Sequence, residues 1–270
     1  YELADFDSHV PFKCTVRHIG HIRPHMHDFL EIIFVLTGNC TILIENQMHQ
    51  LTEGDIILIE SPIQHELISS NCVYASFQLD QNAIENNFPI PIHPEFRCSS
   101  LEPGHEPEFN QLRHLLVKII KNNADQQTGY ELRNWIYVYQ LMELLYMHFQ
   151  VESSPATLKK QHRYNSRIAE ISQIIKTHFR EDLPLSRVAN MVHLSAPYLS
   201  KFFQEQFGMN YLSYLTQFRL NSAVHELINS DKNIEEISAN NGFPNSHAFT
   251  QAFKKEYGVR PSSYRRSQKN

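Results

Sequence analysis

Short apolar segments recur about every ten residues in the first 80 positions of the chain. Turn-forming residues such as Thr37-Gly38-Asn39 separate these segments, which span residues 29–36, 40–45, 55–60 and 73–79. Strand-length apolar runs between turn signals are typical of an all-β sandwich or barrel. The pattern therefore predicts a small β-barrel in this part of the chain.

The pattern takes on a helical period after Pro107. Spaced at i, i+3, i+4, i+7 and i+8, the apolar residues of one helix face are Leu112, Leu115, Leu116, Ile119 and Ile120. A break marked by Asn122-Asn123 and Gly129 precedes a second helix from about Glu131 to Phe149, which carries two apolar stripes. We interpret one stripe as packing on the barrel and the other on a second subunit. Burial of both stripes within one chain is the alternative.

The rest of the chain is predicted to be a linker followed by helices. Residues 151–162 are polar, include Pro155 and lack an apolar period, so we predict a linker there. From about Tyr164 a helical pattern repeats with an offset of 49 to 50 residues. Each copy has a short helix, a tight turn and a second helix that begins at a capping residue, Ser195 or Asn245. This is the pattern of two helix-turn-helix units.

A connecting helix from Tyr211 to about Ile228 joins the two units. About 20 residues at about 1.5 Å each span about 30 Å. That length is close to the roughly 34 Å between successive major-groove faces of B-DNA. The second helices of the two units can therefore enter one side of a duplex, one turn apart.

Charge divides the chain near the predicted linker. The net charge of the 270 residues is −5, but residues 1–162 hold 10 basic and 20 acidic side chains, and residues 163–270 hold 14 and 9. The resulting charges of −10 and +5 indicate that only the second part meets a polyanion. No segment reaches the roughly 18 apolar residues of a membrane helix. The four cysteines lack a metal-binding spacing and favour reduced thiols in the cytoplasm.

A histidine motif lies within the predicted barrel. Residues 20–38 read G-x4-H-x-H-x3-E-x6-G, and His65 ends a second motif, G-x7-P-x2-H, that begins at Gly54. Both resemble the motifs with which cupins hold a transition metal through three His and one Glu, but the first gap is one residue short and the second motif lacks its inner glycine. We expect no metal cofactor and predict a small-molecule pocket lined by Arg23, His25, His27, Glu31 and His65. Metal ligation by His25, His27, Glu31 and His65 is the alternative.

The second half of the chain resembles the AraC/XylS family of transcription regulators. Residues 185–203 and 219–227 match the family, and its C-terminal signature is matched by Ala239-x2-Gly242-Phe243-x5-Ala248-Phe249-x3-Phe253-Lys254-Lys255-x2-Gly258-Val259-x-Pro261-x2-Tyr264-Arg265. The resemblance implies a two-domain α+β fold. Residues 1–150 would form a cupin-like effector-binding and dimerisation domain with a helical pair. Residues 151–162 would form a linker, and residues 163–270 an all-α DNA-binding domain with two helix-turn-helix motifs.

The resemblance also assigns residues to DNA. The candidate groove contacts are Pro197, Ser200, Lys201 and Gln204 in the first unit, and Asn245, Ser246, His247, Thr250, Gln251 and Lys254 in the second. Phosphate contacts are expected from Lys254, Lys255, Arg265 and Arg266. Gln251 stands where family members often carry Arg or Lys, so the second recognition helix brings less charge.

The implied function is that of a cytoplasmic, ligand-responsive regulator that is not an enzyme. It would bind promoter DNA as a homodimer, respond to a small-molecule effector such as a sugar, contact RNA polymerase and make no membrane contact. We expect an activator of a carbohydrate-utilisation or related operon. The alternatives are a virulence or stress regulator of the same family, a metal-dependent cupin enzyme with a DNA-binding tail, and a protein-interaction module.

Overall fold

A computed structural model describes residues 12–27, 29–44, 47–61, 63–80, 95–151, 167–168, 170–207 and 209–268. The chain forms two compact units, one over 4–165 and one over 166–270. The first contains a β-sheet and two helices and the second is helical, which confirms the predicted two-domain fold class. The predicted linker lies outside the described residues except for Val151.

The sheet of the first unit is antiparallel and is built around one long strand. Its strands are β1 (Phe12–His25), β2 (Leu30–Ile44), β3 (Gln47–Thr52), β4 (Ile56–Ile59) and β5 (His65–Leu79). One edge of β2 pairs with β5, which pairs in turn with β1. The other edge pairs with β4 along residues 31–34 and with β3 along residues 39–44. β2 therefore joins all the other strands except β1.

The predicted turn at Thr37-Gly38-Asn39 is wrong. These residues lie inside β2, where the register against β5 shifts on either side of Gly38. Gly38 has a φ of +80°, and a Cβ atom there would overlap the backbone oxygen of Asn71. The glycine thus lies between two irregularities of a continuous strand, where β5 leaves no space for a side chain, and in sequence such a glycine looks like a turn glycine.

Apolar residues cover both faces of β2. Ile32 and Phe34 pack in a core with the helices α1 (Glu106–Asp125) and α2 (Tyr130–His148). Ile33 and Val35, on the opposite face, pack in a second core with residues of β3, β4 and β5. This double burial explains why the strand reads as a continuous apolar run rather than as an alternating one.

The two helices of the first unit meet through an amide cluster. α1 continues past the predicted break, because Asn122 and Asn123 are helical and both donate from Nδ2 to the side-chain oxygen of Asn134 on α2, at 2.8 and 3.2 Å. The left-handed residue Gln126, with a φ of 44°, follows the end of α1. The break therefore begins later than Asn122-Asn123, because these polar residues bind the partner helix rather than end α1, whereas Gly129 directly precedes α2 as predicted.

One acidic side chain of this unit makes its stability depend on pH. Burial and, to a smaller extent, the nearby Glu95 raise the pKa of Glu60 from its ordinary 4.5 to about 7. A hydrogen bond from Phe96 N opposes this rise. The folded chain holds this proton up to about pH 7, whereas the unfolded chain releases it near pH 4.5. Stability therefore falls as pH rises through this interval.

For the Glu60→Gln variant we expect a smaller loss of stability between pH 5 and pH 8 than for the wild type, by about 2 kcal/mol. The amide still accepts from Phe96 N, as Glu60 Oε1 does at 2.6 Å. Urea unfolding followed by the fluorescence of Trp135, the single tryptophan, measures this difference in the first unit. The exposed Glu53→Gln variant is the control, and equal pH profiles for all three chains would contradict the prediction.

The second unit contains the two predicted helix-turn-helix units. A helix α3 over residues 170–178 leads into α4 (Leu185–Met191) and α5 (Ala196–Phe207). The connecting helix α6 (Tyr211–Asn229) follows. The second copy consists of α7 (Ile234–Asn240) and α8 (Ser246–Tyr257), and α9 (Pro261–Gln268) follows it.

The turns of the two copies have the same hydrogen bonds. Leu194 N donates to Ala189 O at 2.8 Å, and Phe243 N donates to Ser238 O at 3.1 Å, 49 residues later. The preceding residue has a positive φ in each case, 54° at His193 and 74° at Gly242. The internal repeat of the sequence is therefore a repeat of backbone geometry.

The connecting helix contributes to both helix-turn-helix cores. Tyr211 and Tyr214, near its start, contact the Phe203 ring of α5, with ring centroids 5.3 Å apart in both pairs. Its second half packs with the buried side chains of the second copy, among them Phe249 and Phe253. The two units are therefore built onto one helix of 19 residues, about 28 Å long.

The described residues include no helix that is long and apolar enough to cross a membrane. All four cysteines are free thiols, and only Cys14 is not fully buried. Burial raises the pKa values of Cys14, Cys40 and Cys98 to about 12. These three thiols are therefore weak nucleophiles.

Candidate sensor site and nucleic-acid interface

Three histidines and one glutamate meet inside the first unit. Glu31 Oε2, on β2, lies 3.0 Å from His27 Nε2 and 3.3 Å from His65 Nε2. The His25 ring approaches from the end of β1, with its centroid 4.2 Å from that of His65. His27, Glu31 and His65 are buried, and His25 is half-buried. The structure thus brings four of the five predicted pocket residues together through their side chains.

Arg23, the fifth predicted residue, is exposed on β1 and takes part through its backbone. Its carbonyl oxygen lies 3.0 Å from His25 Nδ1. His25 and His27 have the spacing of alternate positions on a strand, but only His25 lies in one. β1 ends at His25, and His27 lies beyond it, stacked on the ring of Phe29 at 3.9 Å.

Backbone carbonyls orient all three imidazole rings. His25 Nδ1 lies 3.0 Å from Arg23 O, His27 Nδ1 lies 2.9 Å from Phe29 O, and His65 Nδ1 lies 3.0 Å from Ile63 O. A carbonyl oxygen can only accept a hydrogen bond, so Nδ1 carries a proton in each ring. His27 and His65 face Glu31 with their Nε2 atoms.

The electrostatics favour an ionised carboxylate among the rings. Burial opposes the charge of Glu31, but its contacts with His27 and His65 outweigh burial and hold its pKa well below the ordinary value. Burial lowers the pKa of His65 and outweighs the contact with Glu31, which acts in the opposite direction, and the nearby His25 and His27 lower this pKa further. The charge of the buried Glu31 therefore depends on its imidazole neighbours.

Sequence reasoning missed Ser76, which completes the surroundings of the carboxylate. Its hydroxyl donates to Glu31 Oε1 at 2.5 Å from the neighbouring strand β5. Ser76 and Gln78 are both buried, and they alternate with apolar residues along this strand. Polar positions within an otherwise apolar run are the signal that could have revealed this partner.

The second candidate site is the exposed face of the two recognition helices, α5 and α8. Leu199, Phe202, Phe203, Phe249 and Phe253 are buried, as predicted for their core sides. The ten predicted DNA contacts lie on the other sides. Ser246 and Thr250 are half-buried, and the exposed ones are Pro197, Ser200, Lys201, Gln204, Asn245, His247, Gln251 and Lys254.

Both recognition helices begin at the predicted capping residues. Ser195 Oγ accepts from Tyr198 N at 3.3 Å, and the Asn245 side chain accepts from Ala248 N at 2.8 Å. On the exposed faces, Lys201 Nζ lies 3.4 Å from Glu205 Oε1, and the Gln251 amide lies 3.3 Å from a nitrogen of His247. Lys201 would therefore exchange an intrahelical ion pair for any contact with DNA.

Both units match known protein families. Residues 15–142 match the AraC-like ligand binding domain, and residues 188–267 match a helix-turn-helix domain. The chain belongs to the AraC-type transcription regulators. Each match covers one of the two sites described above. Both matched domains are regulatory, which agrees with the prediction that the chain is not an enzyme.

Relatives of this AraC-type chain include regulators from two bacterial genera. An uncharacterised HTH-type transcriptional regulator of Staphylococcus aureus is 26% identical over 249 residues, 87% of this chain. The chain spans only 31% of the length of that relative. The HTH-type transcriptional activator RhaR of Salmonella dublin is 25% identical over 256 residues, which cover 89% of this chain and 86% of RhaR.

Solved structures of ToxT from Vibrio cholerae share the fold of this AraC-type chain. An apo ToxT variant aligns with a TM-score of 0.62 at 14% identity, covering 94% of this chain and 97% of that one. The unsaturated fatty acid bound wild-type ToxT aligns with a TM-score of 0.60 at 14% identity, covering 94% of each chain. At this identity the likeness is one of fold.

Two arginines of the AraC-type helical unit bind backbone carbonyls. Arg219 donates from Nε to Phe179 O at 2.7 Å and from Nη2 to Glu181 O at 2.8 Å. Arg265 donates from Nε to Leu227 O at 2.9 Å and from Nη2 to Lys232 O at 2.6 Å. Arg265 therefore ties α9 to the end of α6, which differs from the phosphate contact expected from the sequence.

We expect Arg265→Ala to lower the free energy of unfolding by about 2 kcal/mol, because two charge-assisted hydrogen bonds to carbonyls are lost. The neighbouring Arg266 is exposed, so Arg266→Ala should change stability by less than about 0.5 kcal/mol. Urea unfolding followed by circular dichroism compares the two variants. Equal stabilities would contradict the positioning role of Arg265.

Proposed function

We propose that the chain is a ligand-responsive, sequence-specific DNA-binding transcription regulator. The observation that carries this proposal is the pair of helix-turn-helix units with the same turn hydrogen bonds, built on the single helix α6. Their exposed polar faces offer hydrogen-bonding side chains to base edges. The charge of +5 over residues 163–270 supports the approach of this part to the phosphate backbone.

The His25, His27, Glu31 and His65 cluster is the proposed effector site. Its buried carboxylate and imidazoles suit a small polar ligand better than a hydrocarbon chain, because a buried charge needs polar partners. A sugar or a related metabolite fits this chemistry, and we propose control of a carbohydrate-utilisation or related operon. RhaR, named an activator, supports activation. Contact with RNA polymerase is the proposed route of this activation. The proposed compartment is the cytoplasm, where the four thiols remain reduced.

A homodimer is the proposed form that binds the promoter. The exposed apolar stripe on α2 supports it: Leu132, Ile136 and Tyr139 are 68%, 48% and 42% exposed. The other stripe of α2, with Val138 and Leu141, is buried within the chain. Sedimentation velocity should give a dimer for the wild type and a monomer for Ile136→Glu. A monomeric wild type at micromolar concentration would contradict this part of the proposal.

The test of DNA binding uses fluorescence anisotropy at about 150 mM salt. The purified chain is titrated against labelled DNA from the region upstream of its own gene and against a scrambled duplex of equal length. We expect a preference of roughly a thousandfold or more for the upstream DNA. Equal affinity for the two duplexes would overturn the proposed function. Lys121→Ala removes one positive charge from an exposed position of α1. This variant should bind the upstream DNA as the wild type does.

A further inference from the structure

We propose that the loop of residues 179–183 fixes the distance and the angle between the two recognition helices, so that the chain selects the number of base pairs between its two groups of DNA contacts. This inference rests on the proposed function, because it adds a spacing requirement to the proposed reading of base edges. It concerns the helical unit alone, and one of its tests uses no DNA. Either proposal can therefore fail without the other.

The loop connects α3 to α4 and is bound to the connecting helix α6. Arg219, near the middle of α6, donates from Nε to Phe179 O at 2.7 Å and from Nη2 to Glu181 O at 2.8 Å. The hydroxyl of Tyr211, at the start of α6, donates to Leu183 O at 2.6 Å. Both ends of the loop are therefore held by side chains of α6.

The same loop touches the turn of the second helix-turn-helix unit. A Cβ atom on Gly242 would lie 2.5 Å from Phe179 O and 2.9 Å from Arg180 Cα. Phe179 O accepts from Arg219 and is also the atom that a side chain at residue 242 would meet first. One carbonyl oxygen thus joins the end of α3, the middle of α6 and the turn between α7 and α8.

The internal repeat indicates that this contact, and not the turn alone, requires a glycine at residue 242. The equivalent residue in the turn of the first copy is His193, which has a φ of 54° and carries a side chain. The left-handed conformation of the turn is therefore compatible with a side chain in this fold. Gly242 differs because the backbone of the loop lies against it. The two copies thus differ where the second unit touches the loop.

The loop gives the two helix-turn-helix units a second connection beside α6. It leads directly into α4 of the first unit, and Arg187 of α4 donates from Nη1 to Asp182 O at 2.9 Å. A single helix between two units permits small rotations of one unit about the helix axis. A second contact away from this axis opposes such rotations. The recognition helices α5 and α8 are therefore held on one rigid support.

A rigid pair of recognition helices cannot follow a change in the spacing of its binding site. One inserted base pair moves the second group of bases by about 3.4 Å along the duplex and by about 35° around it. Hydrogen bonds to base edges need donor–acceptor distances of about 2.7 to 3.2 Å. The altered site therefore loses the base contacts of one unit. A pair of units that can rotate about α6 would keep more of them.

The first test measures the spacing preference by fluorescence anisotropy. The full chain selects a site from random DNA, and methylation interference locates the two groups of contacted bases. One base pair is then inserted or removed between the groups in the site of each subunit. We expect altered spacing to weaken binding at least about tenfold for the wild type, and less than about threefold for Arg219→Ala. A wild type that tolerates the altered sites, or an Arg219→Ala variant with the wild-type preference, would overturn the proposal.

Arg265→Ala is the matched control. Arg265 also donates from Nε and Nη2 to two carbonyl oxygens, but these belong to Leu227 and Lys232 and not to the loop. The control should lose about as much stability as Arg219→Ala and keep the wild-type spacing preference. Arg219→Lys keeps the charge without the planar fork of two donors, so its preference should be intermediate. Equal relaxation in Arg219→Ala and Arg265→Ala would show that general destabilisation is the cause, and would overturn the proposal.

The second test measures the distance between the recognition helices without DNA. Gln204 of α5 and Lys255 of α8 are exposed, so Gln204→Cys and Lys255→Cys can carry spin labels. The chain without these two substitutions is the labelling control. Double electron–electron resonance on folded chains should give a narrow distance distribution for the labelled wild type and for Arg265→Ala, and a wider one for Arg219→Ala. Equal widths in the three chains would overturn the proposal, even where DNA binding is specific.

Discussion

The Gly242→Ala variant is expected to lose about 3 kcal/mol of stability and to lower the Tm of the helical unit by roughly 10 °C. Gly242 forms the turn of the second helix-turn-helix unit with a φ of +74°. A Cβ atom there would lie 2.5 Å from Phe179 O and 2.9 Å from Arg180 Cα. Both are backbone atoms, so the clash is relieved only by moving the turn or the end of α3. Circular dichroism measures the transition.

Gly258→Ala is a matched control for this substitution. Gly258 has the same φ of +74°, but a Cβ atom there meets nothing within 4 Å. The control should therefore lose only about 1 kcal/mol, the cost of placing alanine in the left-handed region. The fluorescence of Trp135 should be unchanged in both variants at temperatures where the first unit is folded. Equal losses would show that the close approach to residues 179 and 180 contributes nothing.

The second large effect is expected at two equivalent positions of the recognition helices. Lys201 of α5 and Gln251 of α8 are 50 residues apart in the repeat, and both are exposed. Alanine at either position should weaken specific DNA binding about tenfold, which corresponds to about 1.4 kcal/mol, if each side chain reaches a base edge. Neither variant should change Tm by more than about 2 °C, because neither side chain is part of a core.

The two variants should differ in their response to salt. Lys201→Ala removes a cation, so the slope of log affinity against log salt should fall by about one; Gln251→Ala should leave the slope unchanged. Anisotropy titrations from roughly 50 to 300 mM salt give both slopes, because salt screens phosphate contacts over this range. The same slope in both variants would place Lys201 away from the DNA, still paired with Glu205.

The parts of the fold that are visible in the sequence are those specified by neighbouring residues. The caps Ser195 and Asn245 and the apolar spacing of α5 and α8 are local, and the structure agrees with them. Gly38 of β2 has the sequence signature of a turn, because the backbone oxygen that excludes a side chain there, Asn71 O, lies 33 residues away in the chain. β1 and β3 were not predicted, since their polar residues break any apolar run.

In the candidate sites, too, the sequence reveals residues that share a local motif and misses contacts between distant segments. The motif identified His25, His27, Glu31 and His65 because their spacing is itself the signal. It could not give the 2.5 Å contact of Ser76, which comes from another strand. Arg265 looked like a phosphate ligand because it stands among basic residues, whereas its carbonyl partners lie more than 30 residues earlier. Both contacts join residues that are far apart in the chain, so the local sequence pattern does not reveal them.

Methylation interference on a selected binding site tests most directly whether two helix-turn-helix units read DNA together. Guanine N7 lies in the major groove, so methylation there blocks a recognition helix. Within the site of one subunit, we predict two groups of interfering guanines about 10 base pairs apart, on one side of the duplex. Lys201→Ala should weaken interference in one group and Gln251→Ala in the other. A single group, or interference spread evenly along the duplex, would contradict the claim that the two helix-turn-helix units on α6 contact DNA together.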